Sequence, residues 1–454
     1  MKCNKKLLAV AAAGALTVAT AVPALALENE FHGAFTSYYD LSNYSAAGND
    51  GSTSPTQGLQ KNAPTENYFV QRVRLGYTAK VSEQVKLNTK FELDYTFWGN
   101  SSYAVGRNKG GALGADTVQI ETKNLYLELN YPAVNAQIGM MPYNDSFKGV
   151  LFDADMAGIL FSHDYSNASV AAGFFRFGDN GATLGKNAYD MISLDAKYNV
   201  TKTFKVGGAF YYINDNSSQA DIVTHGAQTG VLADGTPVFA VGTTTPQPNK
   251  DVKVHTLGLN AEGAVGPVTL SGFVMKQFGD LSATQDSRGY AVNLGAKAAL
   301  LGGTLRSEFL FVGGGKDAFY VPASAGGTEG GGFYDAEMIM LNRDKNAKTI
   351  DTALVYDTNN FNQGLVMGSV GYDHACTDKI TSSINAGFAA VATNVAHSGT
   401  SNYLGTEVNL ESNYKLTPNV TIGVRGGYVF LGDYFKGLNA DNPYDVKVLA
   451  NLAF

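Results

Sequence analysis

The stretch VKLNTKFELDYTFW, residues 85–98, decides the fold. Its odd positions are Val85, Leu87, Thr89, Phe91, Leu93, Tyr95 and Phe97; its even positions are Lys86, Asn88, Lys90, Glu92, Asp94, Thr96 and Trp98. Successive side chains of a strand point to opposite faces, so a period of two predicts one apolar face and one charged face. The segment is longer than the usual strand of a soluble sheet and long enough to cross a bilayer at a tilt. A charge on a lipid-facing position near the midplane costs about 2–4 kcal/mol, which gives a reason for one face to stay clean.

The pattern recurs on both sides. Phe69, Val73, Leu75, Tyr77 and Ala79 share a face opposite Arg72, Arg74, Gly76 and Thr78, and only the short turn 80–84 separates this segment from the next. Further alternating segments cover 124–131, 188–199, 253–260, 289–300 and 403–416. Linkers alternate between short turns, such as 132–134, 200–203 and 417–419, and long stretches, such as 40–67, 99–117, 215–250 and 313–363. Short turns on one side and long loops on the other are the layout of an antiparallel up-and-down transmembrane β-barrel. With both ends on the short-turn side the strand number must be even. Nineteen candidates are visible; assigning 349–356 to the preceding glycine-rich loop leaves 18 strands, the preferred number. Merging the 158–164 segment with its neighbours gives 16, the alternative.

The compartment follows from the N-terminus. Lys2, Lys5 and Lys6 precede an apolar run over 7–21, Pro23 breaks it, and Ala24-Leu25-Ala26 offers small residues for cleavage. Residues 1–26 are therefore expected to be a cleaved signal peptide and 27–454 the barrel. After it no apolar run of 18 residues remains, which excludes a helical membrane protein and leaves a barrel or a soluble secreted β protein. Losing three lysines and no acid changes 33 basic residues to 30 against 40 acids, a mature charge of about −10. That balance argues against nucleic-acid binding. Cys376 is alone once Cys3 has left with the signal, so no intrachain disulfide is expected.

The last segment, 444–454, places Val446, Val448, Ala450, Leu452 and Phe454 on one face. A dyad strand ending in Phe454 resembles the terminal signal read by the barrel-assembly machinery. The layout of residues 27–454 as a whole resembles the bacterial outer-membrane porins, and its texture is similar to porins of metal-respiring bacteria. The resemblance implies an outer-membrane diffusion channel for small hydrophilic solutes, a homotrimer, and an inward-folded constriction loop. Leu125–Leu129 and Ala136–Met140 take the place of the strand pair that leads into that loop, with Gly139 matching and Met140 standing where the family has arginine. The candidate constriction loop is then 141–157, carrying Asp153 and Asp155.

Pore-lining candidates are Arg72, Arg74, Lys86, Lys90, Glu92 and Asp94 from the alternation, with Asp153 and Asp155 from the loop. Opposed acidic and basic walls orient polar solutes, and the net negative charge suggests mild cation preference. Two carboxylates fall short of the six to eight oxygens that calcium takes, so no metal site is expected at Asp153 and Asp155. Catalysis is not expected either. The six histidines show no metal-ligand spacing, no serine sits in a nucleophile elbow, and the glycine-rich 326–332 lacks the lysine-serine pair of a phosphate loop. No Cys-x-x-Cys-His is present, so the chain carries no covalent haem and no cofactor is expected. It could still sheath a cytochrome partner in extracellular electron transfer, which is the alternative role.

Overall fold

The structure is a computed structural model. It describes residues 28–44, 59–99, 120–179, 188–217, 222–224, 228–231, 237–239, 243–245, 249–282, 284–322, 332, 334–342, 353–355, 357–395 and 401–454. The expected signal peptide and most of the long linkers lie outside these residues.

Eighteen long strands follow one another in chain order: β1 Glu28–Ser42, β2 Glu66–Ser82, β3 Val85–Phe97, β4 Glu121–Tyr131, β5 Val134–Asn144, β6 Asp153–Asp164, β7 Ala168–Asp179, β8 Ala188–Asn199, β9 Phe204–Asp215, β10 Val252–Val265, β11 Val268–Ser282, β12 Tyr290–Leu300, β13 Gly303–Val312, β14 Leu365–Ala375, β15 Ile380–Ala390, β16 Tyr403–Lys415, β17 Val420–Leu431 and β18 Tyr444–Ala453. Each pairs antiparallel with the next, and β1 pairs with β18 from Ala34 opposite Ala453 to Ser42 opposite Asp445. The sheet is therefore closed, which removes the edges that an open sheet would expose to lipid. At the seam, the backbone N–H of Phe454 donates to the Gly33 carbonyl at 3.0 Å and the Gly33 N–H donates back at 2.8 Å. A side chain on Gly33 would collide with the Phe454 ring, so glycine there lets the terminal aromatic lie across the closure.

Eighteen is the preferred number from the sequence, and the structure shows why the competing counts fail. The 158–164 segment is the second half of β6, which starts at Asp153 and is a full strand. The apolar 349–356 segment is no strand in its described part. Leu354 and Val355 bond through their N–H groups to the carbonyls of Met340 and Leu341, and Ala353 and Val355 are buried within a loop.

The outer face carries the apolar half of each alternation. Leu257, Leu294 and Leu410 are more than half exposed (53, 62 and 53 %), as a lipid-facing belt requires. The segment that decided the fold departs from strict alternation once. In the β2–β3 register Gln71 faces Thr96 while Val73 faces Leu93, so β3 spends two residues opposite Arg72. This bulge reverses the faces beyond it. Phe97 turns inward and is buried, whereas Trp98 lies outside and stacks on Phe69 with ring centroids 4.9 Å apart.

Candidate functional site

The inside of the barrel is where the apolar logic inverts. A large buried cluster forms there from loops folded into the lumen. It includes Phe147, Val150, Leu151 and Phe152 of the loop between β5 and β6, and Phe319, Tyr334, Met338, Ile339, Met340 and Leu341 of the loop between β13 and β14.

The β5–β6 loop is pinned by one carboxylate. Asp145 accepts N–H bonds from Phe147 (2.6 Å) and Gly149 (2.9 Å) on one oxygen, and from Leu151 (2.6 Å) and Phe152 (2.9 Å) on the other. Burial pushes its pKa up to about 6, and the four N–H groups pull it back. Lys148 and Gly149 take left-handed backbone angles (φ 62° and 75°), turning the chain sharply so that Lys148 points away from the loop. Its ammonium meets both oxygens of Glu308 on β13, at 2.7 and 2.9 Å. Ser146 donates to Asp195 of β8 at 2.7 Å, and that same carboxylate accepts from Tyr143 and Tyr211, each at 2.7 Å. Phe147 sits over Gly258 of β10, where any side chain would overlap its ring, and packs edge-on against Phe273 of β11.

The β13–β14 loop is held in the same manner. Glu407 of β16 is fully buried and accepts the successive N–H groups of Ile339, Met340 and Leu341 at 2.8, 3.0 and 2.7 Å. Tyr320 and Gln277 of β11 bond reciprocally, at 2.7 and 2.8 Å. Tyr334 donates to Glu308 at 3.1 Å, and burial together with that carboxylate pushes its phenol pKa well up. The two loops meet where the Thr358 hydroxyl donates to the Val150 carbonyl at 2.7 Å.

These bonds tie the loops to β8, β11, β13 and β16, and the packing of Phe147 adds β10. The charged residues expected from the alternation stand on β2–β4. In a ring of eighteen, β3 and β12 are nine strands apart, so this charged wall faces the loop-bearing wall across the lumen. Glu92 is buried at its centre. It is paired with Arg72 at 2.6 Å, with Arg74, and with Lys123 at 3.6 Å. Lys86 lies 3.7 Å from Glu128, and Lys90 occupies the rung between Gly76 and Asn124. The Asp94 side chain lies outside the described residues.

The stretch 141–157, expected as the constriction loop, divides into three. Its first four residues complete β5, 145–152 form the inward loop, and the rest opens β6. Asp153 and Asp155 therefore sit on a strand. The residue that β6 buries beneath the loop is Met156, and the two aspartates take the alternate positions. Asp155 lies 3.3 Å from Lys123 and accepts from Asn124 at 2.7 Å. The acid that organises the loop is Asp145, which the sequence reading passed over. Its signal is local: an aspartate four residues before a glycine, a spacing suited to side-chain-to-backbone turns. Glu308, Asp195 and Glu407 had no such signal, because their partners are 160, 49 and 68 residues distant.

No family model matches the chain, and no curated protein does. Solved structures do. The chain is similar to OccK9 (OpdG) of Pseudomonas aeruginosa with a TM-score of 0.55 and 11% identity over 94% of this chain and 99% of that one. The outer membrane protein OpdK of the same organism gives 0.55 and 12%, over 94% and 99%. OpdK with vanillate gives 0.54 and 12%, over 94% and 98%. At such identities the likeness is one of fold. What is shared, over nearly the whole length of both chains, is the closed antiparallel barrel.

Proposed function

Proceeding from an outer-membrane barrel, we propose that this chain is a passive diffusion channel for small hydrophilic solutes and ions. The observation that carries the reading is the β5–β6 loop, folded around Asp145, bonded to the lumen wall through Ser146 and Lys148, and facing the charged β2–β4 wall. A strand ring of this size without inward loops leaves a wide aqueous bore. Folding two loops into one half narrows it, and places charge opposite the narrowing. Mild cation preference is the sign we propose from the acidic balance of the chain, with Arg72, Arg74 and Lys123 opposing it locally. A small organic carboxylate such as vanillate, present with one of the similar structures, belongs among the solutes to assay.

Purified protein in a planar bilayer under a KCl gradient tests this directly. Stepwise ohmic currents are expected, with a reversal potential on the cation-selective side. A folded barrel that passes no current would overturn the channel reading. The other role considered, a sheath for a cytochrome, needs a lumen free to admit a protein, and the two buried loops count against it. Assembly as a homotrimer and recognition of the Phe454 strand by the barrel-assembly machinery are part of the same proposal. Crosslinking in membranes and a Phe454 deletion, expected to lower outer-membrane yield, examine them.

A further inference from the structure

Behind the β5–β6 loop, toward the short turns, lies a cavity of about 570 Å³. We propose that it binds small zwitterions, molecules carrying one carboxylate and one ammonium group, just past the constriction. The proposal rests on the channel reading above.

The register builds the site as a rung. Asp164 of β6 stands opposite Ser169 of β7, Ser169 opposite Lys197 of β8, Lys197 opposite Gly207 of β9, and Gly207 opposite Asn260 of β10. Paired residues share a face, so these side chains line one surface. Asp164 and Lys197 are two strands apart, roughly 10 Å between their backbones. Among the described residues neither forms an ion pair. The other lysines of the cavity are committed: Lys148 to Glu308 at 2.7 Å and Lys205 to Glu262 at 3.3 Å. One acid and one base of opposite sign are thus left facing the same space.

The rung is also open where a guest would lie. Gly207 contributes no side chain, and a Cβ there would crowd the Asn260 carbonyl oxygen. Asn260 donates its amide N–H to the Ser146 carbonyl at 2.9 Å, which ties the inward loop to the far end of the rung. A simple anion would meet Lys197 but also the acids Asp164 and Glu262; a simple cation would meet three lysines. A zwitterion lying along the rung satisfies both signs, with its carboxylate toward Lys197, its ammonium toward Asp164, and Ser169 between them. Such convergent polar groups in a cavity of this volume are what orient a small ligand.

Proteoliposome swelling with serine as the zwitterion, glycerol as the uncharged solute and lactate as the simple anion tests the site. Serine influx is expected to saturate with concentration while glycerol influx rises linearly. Lys197→Gln and Asp164→Asn are each expected to raise the half-saturating serine concentration about tenfold, the loss of one charged contact. Linear serine influx in the native protein would overturn the proposal, as would saturation that survives both substitutions. Equal saturation by lactate, indifferent to Asp164→Asn, would show an anion site and overturn it too. If glycerol also fails to enter, the channel reading itself falls and takes this site with it.

Discussion

Asp145 receives four backbone N–H groups on two oxygens, so its side chain substitutes for the hydrogen bonds that an irregular loop buried in a lumen would otherwise lack. Asp145→Ala orphans all four, and each buried unsatisfied donor costs about 1–3 kcal/mol. The loop is then expected to leave the wall, exposing Lys148, and trypsin should cut after it in the variant but not in the native protein. Continued resistance at Lys148 would show that the bonds of Ser146 to Asp195 and of Lys148 to Glu308 hold the loop without Asp145. Glu92 has the complementary role of neutralising a basic group. Replacing it by glutamine keeps the volume and leaves Arg72, Arg74 and Lys123 without their shared acid. The reversal potential of Glu92→Gln is expected to move toward anion selectivity, and an unchanged potential would remove this wall from the conduction path.

At the scale of elements, the two inward loops are secured by strands with room made for them. Gly258 lets Phe147 rest on β10. Gly258→Val overfills that contact at about 1–3 kcal/mol, so the loop is expected to shift and single-channel conductance to rise. Glu407 does for the β13–β14 loop what Asp145 does for its neighbour, but from across the sheet. Glu407→Ala is expected to give noisy, larger currents as that loop detaches; quiet currents of native size would refute its role as an anchor. The β3 bulge belongs to this scale as well. It reverses the faces at one end of the strand, turning Phe97 toward the buried contacts of Tyr38, Val70 and Leu449 and leaving Trp98 outside.

For the whole molecule, closure and filling are separate matters. Closure comes from eighteen strands in simple sequence, each next to its chain neighbour, with β18 returning to β1. Filling comes from two loops that occupy the side of the lumen opposite β2–β4. Replacing residues 316–358 by a short turn is therefore expected to leave a folded, heat-modifiable barrel whose conductance exceeds that of the native channel. Loss of the barrel would mean that the loop contributes to closure as well as to filling.

The strands, their number and the lipid-facing side were legible in the sequence because they depend on period-two alternation and on turn length, which are local. Arg72, Arg74, Lys90 and Glu92 were legible as one charged face for the same reason, although not as a single ion-paired group, since that pairing joins β2, β3 and β4. The inward loops were half legible. The loop position after β5 was expected, but its extent was not, and Asp153 and Asp155 moved from loop to strand. The sequence alone determined that this chain is a closed barrel. The tertiary structure alone decided which loops turn in and which acids fasten them to the wall, because Asp195, Glu308 and Glu407 gain their roles only when the fold brings residues 49 to 160 positions apart to face one another.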